Sequence, residues 1–411
     1  MTRACVLTRV FLTAAPMMAL AACGEPQPSE AVIVRDSGGV TIVENFTPEW
    51  SEGAEWWVER QPTVVLDGFA DVTGAALLGD GTVVVLDAVT HELRFYGADG
   101  RLLTATGREG AGPGEFASPT SLARYRGDSV AVFDPALGRI SLFSRAGRFA
   151  RSVPARLATG RMEFVGTLGD GGFVIRGGGF EPHGGTWREP ATLVRIAPNG
   201  DALDTLLVVP GEEFYSIRFE GRPVYGIRPF GRHTVAVAAD DDVIVNLGDD
   251  CSLTVVNPSG LPLLHIRVPC TPRRLPSDAI EAFERARLAG MRVRRSREFL
   301  AAVYRAGKVP YPKEAAPYDR LLADDAGYIW ARRSVLPGDT LRQWFVFRRD
   351  GRLLGTVTTP VQLDIQQIAR HALAAVVLDD LGRARLELHR LVRRGRRTRT
   401  IGWGRYASPH P

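Results

Sequence analysis

Apolar positions along the chain fall in short runs rich in Val, Leu and Phe, broken at regular intervals by Gly, Asp, Asn and Ser. Runs of that length, bounded by turn residues, predict short strands rather than long helices. Residues 79–107 set the pattern: a Gly/Asp turn, a β-branched strand ending in Asp87, a loop, a strand from Glu92 to Tyr96, an Asp99-Gly100 turn and a third strand. Residues 127–153 repeat the order, with Asp134 for Asp87, Ile140 and Leu142 for Leu93 and Phe95, and Gly147 for Gly100. Weaker copies cover 169–207, 240–268 and 324–357, turning at Asn199-Gly200, Ser259-Gly260 and Asp350-Gly351. A sixth, degenerate copy without a clear turn glycine covers 371–391, around Asp379 and Asp380.

The longest interval between turn glycines, from 260 to 351, holds a different kind of sequence. Asp278 and Glu281 have capping-box spacing there, and Ile280, Phe283, Phe299, Leu300 and Val303 predict two short amphipathic helices. With residues 271–316 set aside, the span 56–389 gives about 48 residues per unit for six units, the period of a β-propeller blade. Such sheets are apolar on both faces and must shield one another in a closed ring. The expectation is an all-β, six-bladed β-propeller over 56–392, with a short helical insertion at about 275–308 between blades.

Composition narrows the setting. Of 411 residues, 45% are hydrophobic, 24% charged and 8% aromatic, which excludes a disordered chain, a collagen-like fibre and a multi-span membrane protein. The net charge of +5 resides at the ends. Arg3 and Arg9, with the seven arginines between 390 and 405, leave 42 basic against 46 acidic residues when removed. The body therefore lacks the basic excess that nucleic-acid binding needs, and no nucleic-acid partner is expected. The arginine-rich tail, 393–411, is read as disordered; it either touches anionic lipid or has no specific role.

Residues 1–22 form a basic start and an apolar stretch too short to span a bilayer, the form of a signal peptide. Leu20-Ala21-Ala22-Cys23 at its end resembles the lipobox of bacterial lipoproteins. That resemblance implies acylation of Cys23, membrane lipid as a partner, and a place in the cell envelope, at the outer membrane or periplasmic face. Residues 23–55 would be a tether and N-terminal segment. Cys251 and Cys270 flank an Asn257-Pro258-Ser259-Gly260 turn between two apolar runs, a β-hairpin pattern that allows a disulfide across the strand ends. Two buried thiols are the alternative.

Residues 107–119, with the strand ending in Asp134 and the segment Arg139 to Phe143, resemble the NHL repeat. From Arg35-Asp36-Ser37-Gly38-Gly39-Val40 through the helical insertion to Trp330, the chain is similar to bacterial six-bladed β-propeller lipoproteins, over roughly 35–392. The resemblance speaks to fold and carries no general reaction with it.

Candidate chemistry is sparse. Asp87 and Asp134 read as turn caps, since a folding device is needed in every unit and a catalytic residue only once. The runs Asp240-Asp241-Asp242 and Asp249-Asp250 lack the alternate spacing of a calcium loop and read as solvated turns. The seven histidines lack zinc-enzyme spacing, and neither a nucleophile elbow nor a phosphate-binding loop is present. Pro182 to Pro190, with His183, Trp187 and Arg188, reads as a long interstrand loop and is the candidate binding loop. The insertion, with Arg292, Arg294, Arg295 and Arg297, is expected as a cap on one face of the ring. These features favour a binding or scaffolding module for a peptide, protein or glycan, without catalytic residues, cofactor or metal. The alternative is an NHL-like lyase or hydrolase whose axial metal, calcium or zinc, is held by residues from several blades.

Overall fold

The computed structural model describes residues 31–50, 56–157, 160–201 and 203–393. Cys23, the apolar leader and the tail beyond 393 lie outside these residues. The molecule is mostly β, and its main sheets follow one another along the chain. The first comprises Val72–Leu77, Val83–Asp87, Glu92–Tyr96 and Leu102–Thr106, and the second Ser121–Tyr125, Ser129–Asp134, Arg139–Phe143 and Phe149–Pro154. The third has five strands: Arg161–Thr167, Phe173–Gly178, Gly185–Ile196, Leu203–Phe219 and Arg222–Ile227. The fourth begins with Val235–Ala239, Asp242–Asn246, Leu253–Val256 and Pro262–Arg267. The fifth is Tyr318–Ala323, Ile329–Arg333, Leu341–Phe347 and Leu353–Pro360. The sixth takes Asp364–Ile368, Ala372–Leu378 and Ala384–Arg393 from the C-terminal end, and its fourth strand, Trp56–Phe69, from the N-terminal end.

The first strands of these sheets touch in cyclic order, and the sixth meets the first. The cause is visible in the second strand of each sheet, where successive residues serve different neighbours. Val83 and Val85 enter the core shared with the sixth sheet, whereas Val84 and Leu86 enter the core shared with the second. Ala131 and Phe133 face the third sheet while Val130 and Val132 face the first. In the fifth, Trp330 joins Trp50, Trp56 and Trp344 toward the sixth, while Ile329 and Ala331 turn to the fourth. Each fully buried Val, Leu or Phe contributes about 1.5–3 kcal/mol, and half of that burial on every sheet depends on the next one.

The turn glycines have a second duty beyond their positive φ. Gly200 (φ 84°) lies against the outermost strand of the preceding sheet, where a Cβ would stand 2.7 Å from Pro154 Cδ. Gly147 (φ 75°) meets Thr104 at 2.8 Å in the same way. Each hairpin between third and fourth strands thus docks flat on its neighbour. The sixth sheet has no such hairpin because its fourth strand arrives from residues 56–69, so its copy of the repeat shows no glycine at that place. Its glycine turn, Asp379 to Gly382, joins the second and third strands instead.

The N-terminal segment is more than a tether. The hairpin Val32–Ser37 and Val40–Asn45 extends the fourth sheet, with Val40–Asn45 parallel to Pro262–Arg267. Asn45, buried, donates Nδ2 to the Gly351 carbonyl (3.0 Å) and accepts from Leu353 N–H (2.8 Å), tying the fourth sheet to the fifth.

Asp87 and Asp134 are buried caps that also join sheets. The Asp87 carboxylate accepts from Ala70 N–H (2.8 Å) and Asp71 N–H (3.2 Å) in the incoming linker and from Val89 and Thr90 in its own turn. Asp134 does the same for Ala117, Ser118 and Leu137. The acidic run at 240–242 is ion-paired with Arg349 rather than simply solvated.

Helices α1 (Ser277–Ala289) and α2 (Arg294–Arg305) separate the fourth and fifth sheets in sequence. The capping-box reading is two residues out. Pro276 occupies the N-cap without a side-chain cap, and Asp278 lies inside the first turn. Helix α2 packs through Phe299, Leu300, Val303 and Tyr304 on Tyr215, Ile217, Phe219 and Val224 of the third sheet's long hairpin, and α1 sets Phe283 against Phe230, with centroids 5.2 Å apart. No residue of either helix lines the axial channel. No helix among the described residues is long and apolar enough to cross a membrane.

Gly200→Ala should lower stability by at least about 1–2 kcal/mol, from the left-handed backbone alone, with the Pro154 clash added. Urea unfolding measures it, and Gly179→Ala, where a Cβ meets open space, is the control expected to change little.

Candidate binding site

The third sheet extends beyond its neighbours as an arm. Strand Gly185–Ile196 pairs along its length with Leu203–Phe219, setting Trp187 opposite Phe214 and Arg188 opposite Glu213, and Arg222–Ile227 adds an outer edge. The expected loop at 182–190 is therefore strand from Gly185 onward, because alternating residues pack on both faces of a long hairpin that the local sequence does not announce.

The three candidate residues have different fates. His183 is exposed; its ring stands edge-on to Trp187 with centroids 5.5 Å apart, and Nε2 is 3.2 Å from Glu189 Oε1. Trp187 stacks on Phe214 at 5.8 Å and donates Nε1–H to Glu189 Oε1 (2.8 Å). Arg188 is not available to a ligand. It donates to the carbonyls of Gly211 (3.0 Å), Pro210 (2.9 Å) and Leu247 (2.7 Å), so it bolts the arm to the fourth sheet. Its guanidinium also meets Asp249, which Arg232 engages as well. Opposite it, Glu213 is buried between Arg228 Nη1 (3.1 Å) and Arg232 Nη2 (3.2 Å) and accepts the Arg232 N–H (3.0 Å). Burial pushes the Glu213 carboxyl up, but these donors outweigh it and hold the group below the ordinary carboxylate range.

Beside this bolted root lies a pocket of about 280 Å³. Phe180, Phe214, Pro190 and Ala191 give it an apolar wall, and Glu189, Glu212, Arg161 and Arg176 bring charge to its edge. Phe180 is 48% exposed and is the hub of the aromatic group, 5.1 Å from Phe214 and 6.1 Å from both Trp187 and Tyr225. Phe180, Phe214 and Tyr225 escaped the sequence reading; only the register of the long hairpin brings them together.

Cys251 and Cys270 are joined in the structure, with Cα atoms 5.9 Å apart, just beyond the paired ends Leu253↔Ile266. They border a second pocket of about 290 Å³ between the fourth and fifth sheets, which also includes Tyr318 and Arg333. The axial channel, about 430 Å³, is lined by the first strands of all the sheets.

A metal on the axis would need several carboxylates or imidazoles free to converge. Among the described residues no group of three His, Cys, Asp or Glu is placed to hold an ion. The channel carboxylates are already engaged, Glu163 with Arg176 and Asp319 with Arg332. The described residues of the channel do not fit a metal.

No family model matches the chain, and no curated protein does either. Solved structures similar to it include a candidate exported protein of Bacteroides fragilis, with 11% identity and a TM-score of 0.47, covering 86% of this chain and all of that one. A gluconolactonase of Xanthomonas campestris shows 13% identity and a TM-score of 0.44, over 80% of this chain and 88% of that one. Regucalcin of Agrobacterium tumefaciens, a calcium-binding protein, shows 12% identity and a TM-score of 0.38, over 81% and 92%.

Arg188→Ala strands three backbone acceptors and should lower stability by about 2–3 kcal/mol in chemical denaturation. Glu213→Gln should lower it at neutral pH as well. Because the native Glu213 carboxyl is held below its unfolded value, that contribution is present above about pH 4 and fades as pH falls further. The gap between wild type and Glu213→Gln should therefore close in acid.

Proposed function

We propose that the chain is a lipid-anchored, extracytoplasmic six-bladed β-propeller of NHL-like type, with α1 and α2 as its insertion, and that it binds a glycan on the arm of the third blade. The observation that carries the ligand reading is the pocket wall of Phe180 and Phe214 with Glu189, Glu212 and Arg161 at its edge. Sugar rings offer apolar C–H faces that suit aromatic surfaces, and hydroxyls that donate to carboxylates and accept from guanidinium groups. The rim supplies both kinds of partner within one small pocket. Arg188 and Glu213 fix the arm beforehand, so binding orders little that is not already ordered.

The anchor reading rests on Leu20-Ala21-Ala22-Cys23. Thioether-linked and amide-linked acyl chains at Cys23 would supply the membrane attachment, each buried methylene adding about 0.8 kcal/mol. The lyase or hydrolase alternative finds less support, since the carboxylates of the axis are tied to arginines.

Two experiments test these readings. A glycan array probed with detergent-solubilised full chain should give signals that vanish in Phe180→Ala/Phe214→Ala, while far-ultraviolet circular dichroism stays unchanged. An array on which wild type and double variant are indistinguishable overturns the ligand reading. For the anchor, metabolic labelling with a palmitate analogue should mark the wild type and not Cys23→Ala, which should leave the membrane fraction. Equal labelling, or membrane retention of Cys23→Ala, contradicts it.

A further inference from the structure

Charges around the axis do not balance. Arg320, Arg332 and Arg342, from the first three strands of the fifth sheet, converge on one carboxylate oxygen, Asp364 Oδ1, at 3.0, 3.5 and 2.8 Å. The one other acid in the cluster, Asp319, is spent on Arg332 Nε (2.6 Å) and the Val335 N–H (3.0 Å). Asp364 Oδ2 is taken by Gln366 Nε2 at 2.8 Å. Three guanidinium groups therefore share two carboxylates. The remaining charged residues of the channel, Arg124 and Glu163, are matched separately by Asp128 and Arg176 and do not relieve the excess.

Donors are left over as well as charge. Arg332 Nη1 and Arg342 Nε are buried without a hydrogen-bond acceptor. Arg320 lines the channel, and among the described residues its one hydrogen bond runs through Nη1, so no acceptor engages Nε or Nη2. The channel, at about 430 Å³, has room for a small guest. An uncompensated buried cation is expensive, and a forked guanidinium edge matches the two oxygens of a carboxylate or phosphate.

We infer that the axial channel is a binding site for a small oxyanion, a carboxylate or a phosphate, which docks on the free edge of Arg320 and neutralises the Arg320–Arg332–Arg342 cluster. Burial lowers the Arg320 guanidinium pKa, and although Asp364 and Asp319 pull it up, Arg332 and Arg342 add to the lowering. This site is separate from the aromatic pocket and does not depend on what that pocket takes.

The test is thermal unfolding of the full chain in chloride, inorganic phosphate or acetate at matched ionic strength, with phosphate titrated to about 10 mM. Phosphate, acetate or both should raise the midpoint of the wild type, and whichever anion acts identifies the preferred chemistry. Arg320→Gln should weaken the response about tenfold in anion concentration, as loss of a charged hydrogen-bond donor would, and Arg320→Lys should retain part of it. A purely structural role for the cluster would lower the midpoint of Arg320→Gln while leaving its response to phosphate and acetate unchanged. Absence of any anion-specific response in the wild type, or an equal response in Arg320→Gln, overturns the assignment.

Discussion

Every sheet in this molecule is asked to be hydrophobic on both sides, and the second strand of each shows it most plainly. Val84 and Leu86 belong to one interface while Val83 and Val85 belong to the next. A strand so patterned cannot rest against water on either face, so the array has no place to stop until it meets its own beginning. Closure explains why Trp56–Phe69 crosses the molecule to pair with Ala384–Arg393, and why Trp50, Trp56, Trp330 and Trp344 collect there. It also explains the glycine turns, which must lie flat on a neighbour's outer strand.

Some of this was legible along the chain because it is local. The hairpin turns at Gly100, Gly147 and Gly200, the strands they join and the caps Asp87 and Asp134 are each set by a few adjacent residues. The innermost strands were harder to see. Arg161–Thr167 and Asp364–Ile368 edge the channel, are only partly buried and carry Arg, Glu and Gln, so they lack a strand's apolar signature. The partnership of Val64 with Leu388 spans most of the sequence and leaves no local trace. Neither does the arm of the third sheet, where Trp187 and Arg188 looked like loop residues until the register with Phe214 and Glu213 assigned them opposite duties. Arg188 became a bolt, whereas Phe180, unremarked in the sequence, became the exposed hub.

Rigidity and unsatisfied chemistry divide the molecule in an informative way. Several polar and charged groups are consumed in joining sheets, as Asn45, Asp87 and Arg188 illustrate. Two places stand apart: an aromatic pocket with charges at its edge, and an axial cluster with one guanidinium too many. A ring held by six shared interfaces can keep both in fixed geometry, because moving one sheet would open the cores on either side of it.

The closing strand offers the most direct measurement. Hydrogen exchange followed by mass spectrometry should find the amides of residues 63–69 that bond to 384–391 protected, and released together with that segment. Their release should come in the same cooperative transition that exposes the second strands of the other sheets. Rapid exchange of every amide in 63–69 while 384–391 remains protected would mean that the N-terminal strand does not complete the sixth sheet, and that the ring is not closed in the way described.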